Sequence, residues 1–273
     1  EHNGVNGEIT YLVPQKEPVE IWLVRIKNNS NKRKNLKVFP FVEFVSGDIE
    51  LEACYRNIMM LYNEAYFDKK LKSIIAFKHK FKSTHKEGFS FFSSSLDIDG
   101  YDTQKEEFYG RYNDVARAEA ILSRGRCSNT SVRGEDMVGV LESSMKLGPK
   151  EEKEFVVLLG FAEKMSAVSA LTEKFLDLSA VKNELANIKE SWDQAIEKIK
   201  VQTPDPNFNL MVNIWGKYQL FAITRWRGTS QYHGVEGGLG YRDTAQDAEG
   251  LFALDLSLGK RKMEKILQYQ YSS

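Results

Sequence analysis

The sequence predicts an α+β protein: an antiparallel β-sandwich over residues 1–163, a helical linker over 164–202, and helices over 203–273. Three observations carry this. The first part alternates β-branched and aromatic runs with turn residues, as the strands of a sandwich do. From Ser179 the apolar spacing changes to four, three, four, three, four, which is one stripe of an amphipathic helix. Thr203-Pro204-Asp205-Pro206 then stops one helix and starts another that is apolar nearly all round.

Each element follows from its residues. Val19 to Ile26 and Leu36 to Val45 are strand runs separated by the turn-forming Asn28-Asn29-Ser30-Asn31. Pro40 interrupts the second and predicts an edge position or a bulge. Further runs fall at Lys72 to Phe81, Phe89 to Leu96, Met137 to Leu147 and Glu154 to Phe161. Gly148-Pro149-Lys150 joins the last two and predicts a hairpin. Between these runs, Gly100 to Thr130 is polar and irregular, too long for an idle connection. It reads as a functional excursion.

The linker combines a short helix over Ser166 to Leu178 with the amphipathic stripe Val181, Leu185, Ile188, Trp192, Ala195 and Ile199, capped by Ser179. In the last part Asp205 caps a helix with Pro206 in its first turn. Phe208, Met211, Val212, Trp215, Tyr218 and Ala222 mark its faces, so it is expected to be buried, as in a helical barrel or layered bundle. Thr244 to Leu258 and Lys260 to Tyr271 read as two more helices, broken at Gly259.

Composition narrows the function. In 273 residues, Lys plus Arg equals Asp plus Glu at 38 each, so no global basic field awaits nucleic acid or an anionic membrane. No apolar run reaches the roughly 18 residues that a membrane span needs. Only two cysteines occur, Cys54 and Cys127, which fits a reducing cytoplasm better than a disulfide framework. The chain opens on Glu1-His2-Asn3-Gly4 without an initiating Met, and a fragment of a longer protein is expected.

The chemistry concentrates in 225–247, which packs Arg225, Arg227, His233, Glu236, Arg242, Asp243 and Asp247 among five glycines, between two helical segments. Glycine lets backbone approach a ligand closely. Asp243 and Asp247, four apart, share a helix face with Gln246 beside them. Near a helix N-terminus the dipole favours an ionised Asp243, an acceptor for vicinal sugar hydroxyls and a poor general acid. The competing reading has Asp243 capping the helix and Asp247 paired with an arginine. Arg225 and Arg227 flank Trp226 and offer bidentate donors beside an aromatic face; a basic helix C-terminus explains one of them more easily than two. His233 reads as a hydrogen-bonding residue, because His2, His79 and His85 lie outside metal-ligand spacing. Gly237-Gly238-Leu239-Gly240 follows a helix and loop rather than a strand, which excludes a dinucleotide fingerprint.

Gly238-Leu239-Gly240-Tyr241-Arg242-Asp243-Thr244-Ala245-Gln246-Asp247 resembles the Gly-x-Gly-(Phe/Tyr)-Arg-Asp-(Ser/Thr)-x-Gln-Asp signature of the inverting glycoside phosphorylases. That family, glycoside hydrolase family 94, includes cellobiose, cellodextrin and chitobiose phosphorylases. Met211 to Trp215 with Tyr218-Gln219, Gly100 to Thr103 through Phe108-Tyr109-Gly110, and Gly125 to Asn129 resemble other family segments, so the likeness covers most of the chain. Trp226-Arg227-Gly228-Thr229-Ser230 leans toward the cellodextrin branch.

The resemblance implies a β-sandwich, a helical linker and the first helices of an (α/α)6 barrel, in a homodimer. It implies phosphorolysis of a β-glucan oligosaccharide by inorganic phosphate, with inversion, to α-glucose 1-phosphate and a shortened sugar, and no cofactor. By position, Arg242 and Asp243 would bind the glucosyl unit in the −1 subsite, and Arg227 matches the arginine ahead of the signature. A further family arginine falls here on Gly237, a departure that moves its role to Arg225. Tyr241, Gln246 and Asp247 complete the expected substrate-binding set. Phosphate is itself an anionic nucleophile, so the reaction needs an acid but no base to activate water. The family's acid is the last Asp of a Gly-Asp-Trp-Asn-Asp motif downstream of the signature, and that motif does not occur in this sequence. The chain is therefore expected to be an internal portion that holds sugar, with the acid beyond Ser273. The alternatives are an (α/α)6 glycoside hydrolase using Asp243 and Asp247 as its carboxylate pair, or a non-catalytic carbohydrate-binding or dimerisation module.

Overall fold

The computed structural model describes residues 1–47, 49–80, 87–226 and 241–269, with the backbone alone at 49, 50, 225 and 226. Two compact units result, Glu1–Leu185 and Ala186–Ser273. As an α+β protein, the chain places an antiparallel sandwich first and helices after it.

The first unit runs β1 (Val5–Leu12), β2 (Val19–Asn28), β3 (Lys34–Val38), β4 (Phe41–Glu43), α1 (Ile49–Met59), β5 (Asn63–Asp68), β6 (Ser73–Lys78) and β7 (Phe89–Ser94). It continues with β8 (Gly100–Gln104), α2 (Lys105–Tyr109), α3 (Glu119–Leu122), β9 (Val132–Arg133), β10 (Met137–Leu147), β11 (Glu152–Ala162) and α4 (Met165–Phe175). A seven-stranded sheet has the order β1-β2-β11-β7-β6-β5-β9; a four-stranded sheet sets β10 against β3, β4 and β8. Pro40 lies between β3 and β4, so the single run from Leu36 to Val45 is two short strands. An internal proline has no N–H for the ladder, and the run breaks there.

Side chains alternate across each strand, and the inner strands β6, β7, β10 and β11 are covered on both faces over most of their length. Val24, Phe92, Phe155 and Val157 of the larger sheet meet Met137, Leu141, Met145 and Leu147 of β10 in the inner core. On the opposite face of the larger sheet, Ile21, Ile75, Phe91 and Leu158 are buried, and α4 packs over β7 and β11. The opposite face of the smaller sheet presents Val138 and Val140 to Phe108, Tyr109, Ala118, Ala120 and Cys127. Residues 105–130 are therefore a cover for that sheet. Double coverage is why these inner strands read as near-continuous apolar runs.

The hairpin expected at Gly148-Pro149-Lys150 is absent. β10 pairs with β3, β4 and β8, whereas β11 pairs with β2 and β7, so this turn carries the chain from one sheet to the other. The local turn chemistry is as read, with Lys150 at φ 61° and Gly148 N–H donating to Glu151 Oε2 at 2.5 Å. What differs is the partner that each strand finds once both faces must be buried.

Helix α5 (Leu178–Ile196) runs from the first unit into the second. Its cap is Asp177, whose Oδ1 accepts the Ala180 N–H at 2.7 Å, rather than the expected Ser179. Asp205 caps α6 (Pro206–Leu210) as expected, accepting from Asn207 N at 2.8 Å and Phe208 N at 3.2 Å. A π-helical segment, Met211–Trp215, leads into α7 (Gly216–Trp226), followed by α8 (Tyr241–Leu251) and α9 (Leu256–Leu267). Two amides about one turn of helix apart clamp the preceding extended segment. Asn209 and Asn213 each exchange two hydrogen bonds with the backbone of Thr203 and Val201.

Two expectations fail in this unit. The helix starting at Pro206 is not buried all round: Phe208, Leu210, Met211, Ile214 and Trp215 are each about half exposed. The unit's core is small, built on Phe221, Leu251 and Leu254 with Trp192, Ala195, Leu220 and Leu258 against it. It reaches only one side of the helix. Nor does Gly259 break the last helices. They part between Leu251 and Leu256, where Asp255 caps α9 by accepting from Leu258 N at 3.0 Å. Gly259 lies inside α9, and a Cβ there would stand 2.6 Å from Phe252 Cδ1. Its job is close packing.

Candidate saccharide site

The signature enters helix α8 at Tyr241, which puts Arg242 and Asp243 in the first turn and Gln246 and Asp247 in the next. Thr244, Ala248 and Leu251 form the buried face of α8, at the spacing of one helical stripe. The polar residues take the remaining faces by the same periodicity. Tyr241, Arg242 and Gln246 are exposed, and Asp243 and Asp247 are half-buried. Asp243 and Asp247 are one turn apart, as the spacing of four requires.

The guanidinium of Arg242 reaches Asp243 Oδ1 through Nε at 3.2 Å and Nη2 at 3.1 Å. Both donors converge on one oxygen, and among the described residues Oδ2 makes no hydrogen bond, which leaves it able to accept. A first-turn carboxylate beside an exposed guanidinium offers acceptors and donors together, the pairing that vicinal hydroxyls need. Asp247 also has a partner of its own.

The other expected residues fall elsewhere. Arg225 sits on the last turn of α7 with only its backbone described. Arg227, His233, Glu236 and Gly237 lie outside the described residues. Among the described residues no group of three or more His, Cys, Asp or Glu could hold a metal ion, and no helix is long and apolar enough to cross a membrane.

The excursion at 100–130 is more organised than its polar sequence suggests. Asp102, fully buried on β8, accepts through Oδ1 from Ser128 N at 3.0 Å, Thr130 N at 3.3 Å and Thr130 Oγ1 at 3.1 Å. Glu142, buried on β10, accepts the Cys127 N–H at 2.7 Å and the Lys37 ammonium at 2.5 Å. Burial pushes the Asp102 carboxyl above the ordinary range, against the hydrogen bonds from Ser128 and Thr130. Burial likewise raises the Cys127 thiol, with Asp102 and Glu142 adding to it. That makes Cys127 an inert packed thiol.

In front of this cover lies a pocket of about 570 Å³ that reasoning from sequence did not find. At its edge Glu43 accepts the Tyr109 hydroxyl at 2.6 Å and the Lys105 ammonium at 2.9 Å. Burial opposes the Glu43 charge, but these two donors outweigh it and hold the carboxylate below its usual range. The available signal was Phe108-Tyr109-Gly110-Arg111-Tyr112-Asn113, an aromatic and polar turn inside the excursion.

The chain thus runs from an antiparallel sandwich to helices whose signature turn pairs Arg242 with Asp243. Two family models agree with it: "Glycosyl hydrolase 94, supersandwich domain" matches residues 1–178, and "Glycosyl hydrolase 94 superfamily, catalytic domain" matches residues 191–273. The chain belongs to the glycosyl hydrolase 94 family. It is 31% identical over 272 residues to the N,N'-diacetylchitobiose phosphorylase of Vibrio proteolyticus, covering 99% of this chain and 33% of that protein. It is 32% identical over 273 residues to the solabiose phosphorylase of Paenibacillus borealis, covering 99% of this chain and 34% of that protein. It is also 26% identical over 240 residues to a cyclic beta-(1,2)-glucan synthase of Rhizobium meliloti (strain 1021), covering 88% of this chain and 8% of that protein. The chain thus spans about a third of the length of the phosphorylases it matches.

Proposed function

We propose that this chain is part of an inverting β-glucoside phosphorylase and carries part of the −1 glucose site. The supporting observation is the signature turn itself, with Arg242 and Asp243 paired at the start of α8 and Gln246 and Asp247 one turn on. Membership of the family and the two phosphorylases among its relatives support the reaction type.

In this reading Asp243, carrying the Arg242 guanidinium, accepts the ring hydroxyls and fixes the glucosyl unit. Arg242 and Gln246 donate to neighbouring oxygens, Tyr241 offers its ring, and Arg225, Arg227 and Asp247 close the site. Phosphate attacks the anomeric carbon from the face opposite the leaving sugar, and the departing oxygen takes a proton from an acid outside this sequence. The configuration inverts because there is one displacement. The saccharide is a β-glucan oligomer such as cellobiose or a cellodextrin, the latter resting on Trp226 to Ser230 alone. Residues 164–202 as a linker, 203–273 as the start of an (α/α)6 barrel, a homodimer and a cytoplasmic setting belong to the same proposal. Cys54 and Cys127, both free thiols, support the last of these.

Calorimetry with glucose or cellobiose on the parent chain and on Asp243→Ala tests the site. The variant is expected to lose the binding event that belongs to the signature turn, and a titration unchanged from the parent's would remove Asp243 from the site. In the longer enzyme, turnover should require added phosphate and release glucose 1-phosphate; glucose release without phosphate would replace the phosphorylase reading with a hydrolase.

A further inference from the structure

The pocket before the sandwich cover is lined by residues of the first unit. It lies between the helical turn Met60–Tyr62, helix α2 with the turn after it, and the residues leading into β10. At about 570 Å³ it has the size of ligand pockets in general.

Its groups divide into two sets. One set is already engaged: Lys105 with Glu43 at 2.9 Å, Asp136 with Arg56 at 3.0 Å, and Glu135 with Gln104 Nε2 at 2.5 Å. The other set, Glu106, Asn113 and the Tyr112 hydroxyl, makes no side-chain hydrogen bond among the described residues. Arg111 makes no ion pair there; its guanidinium packs 5.6 Å from the centre of the Tyr112 ring. Tyr112 is nonetheless 88% exposed, so one face is braced while the rest is open. A glycine sets up this presentation. Gly110 has φ 85°, in the left-handed region, and a Cβ there would meet Asn113 Nδ2 at 2.9 Å.

An exposed aromatic face, braced on one side by Arg111, beside an amide and a carboxylate with free hydrogen-bonding capacity matches a pyranose, whose apolar face stacks while its equatorial hydroxyls need both donors and acceptors. The charges choose among ligands. Lys105 and Arg111 face Glu106, Glu135 and Asp136, two positive groups against three negative ones, which disfavours a phosphate or other anion. We propose that this pocket binds a neutral saccharide, with one ring on Tyr112 and its hydroxyls held by Asn113 and Glu106. The choice of a saccharide rests on the phosphorylase reading; the free groups and the charge balance do not.

The test is calorimetric titration of the full chain with cellobiose and, separately, with inorganic phosphate, on the parent and on Tyr112→Ala, Asn113→Ala and Asp243→Ala. Tyr112→Ala removes an exposed ring, and its fold can be checked by circular dichroism. The expected result is a cellobiose-binding event weakened about tenfold or more by Tyr112→Ala and by Asn113→Ala, and retained in Asp243→Ala. Cellobiose affinity within twofold of the parent in Tyr112→Ala would overturn the proposal. So would the absence of any cellobiose binding by the parent, or a Tyr112-dependent event seen with phosphate in place of cellobiose. If Asp243→Ala changes nothing while Tyr112→Ala abolishes binding, the pocket stands and the signature site falls.

Discussion

Asn28 donates its side-chain amide to the Gly148 carbonyl at 2.7 Å, and to the Lys32 carbonyl at 2.8 Å. These bonds stand where the chain changes sheets twice, from β2 to β3 and from β10 to β11. The Asn28 Oδ1 also accepts from Ser30 N at 3.0 Å and Ser30 Oγ at 2.7 Å, and the residue is fully buried. One amide therefore satisfies both crossings. Asn28→Ala leaves the part-buried Lys32 and Gly148 carbonyls without this donor, at about 0.5–1.5 kcal/mol for each bond lost. Urea unfolding of the sandwich should show a loss in that range. A loss below about 0.5 kcal/mol would mean that water takes over the corner.

That corner also marks where reading the sequence stops working. Gly148-Pro149-Lys150 is correctly legible as a turn, because glycine and proline encode local backbone. Which strands lie next to β10 and β11 is decided by burial of both sheet faces, a tertiary matter that adjacent residues do not record. Pro40 and Asp205 were legible for the local reason: one lacks a donor and the other supplies a cap. Gly259 misled because a glycine inside a helix looks like a stop, while its cause is the Phe252 ring across the gap. In the site, the spacing of Asp243 and Asp247 was legible from the helical period alone. The contact between Arg242 and Asp243 needed coordinates, and so did the free groups around Tyr112.

The Asp102 carboxyl gives the sandwich a pH dependence of known sign. Burial holds it above the ordinary carboxylate range, so the folded chain binds a proton that the unfolded chain gives up. This contribution favours the fold below the ordinary value of about 3.9 and is lost as pH rises through the raised folded value. Asp102→Asn keeps an acceptor for Ser128 and Thr130 and removes the titration. Comparing urea midpoints of parent and variant from pH 7 down to pH 4, the parent should gain on the variant as pH falls. A difference that stays flat or moves the other way would show that the hydrogen bonds from Ser128 and Thr130 dominate the desolvation.

Arg242 and Asp243 make the last prediction, because their geometry separates a binding role from a stabilising one. Arg242 is exposed and Asp243 half-buried, with side-chain accessibilities of 84% and 30%. Solvent screening limits such a pair to about 0–1 kcal/mol of stability. Arg242→Lys keeps the charge but loses the planar fork that reaches Asp243 Oδ1 through both Nε and Nη2. The unfolding midpoint should therefore stay within about 0.5 kcal/mol of the parent. Saccharide affinity should fall about tenfold, since the carboxylate loses its orientation and the ligand loses a bidentate donor. Unfolding and calorimetric titration on the same preparations decide it. If stability drops by more than about 1 kcal/mol while affinity holds, the pair serves helix α8 and not the sugar.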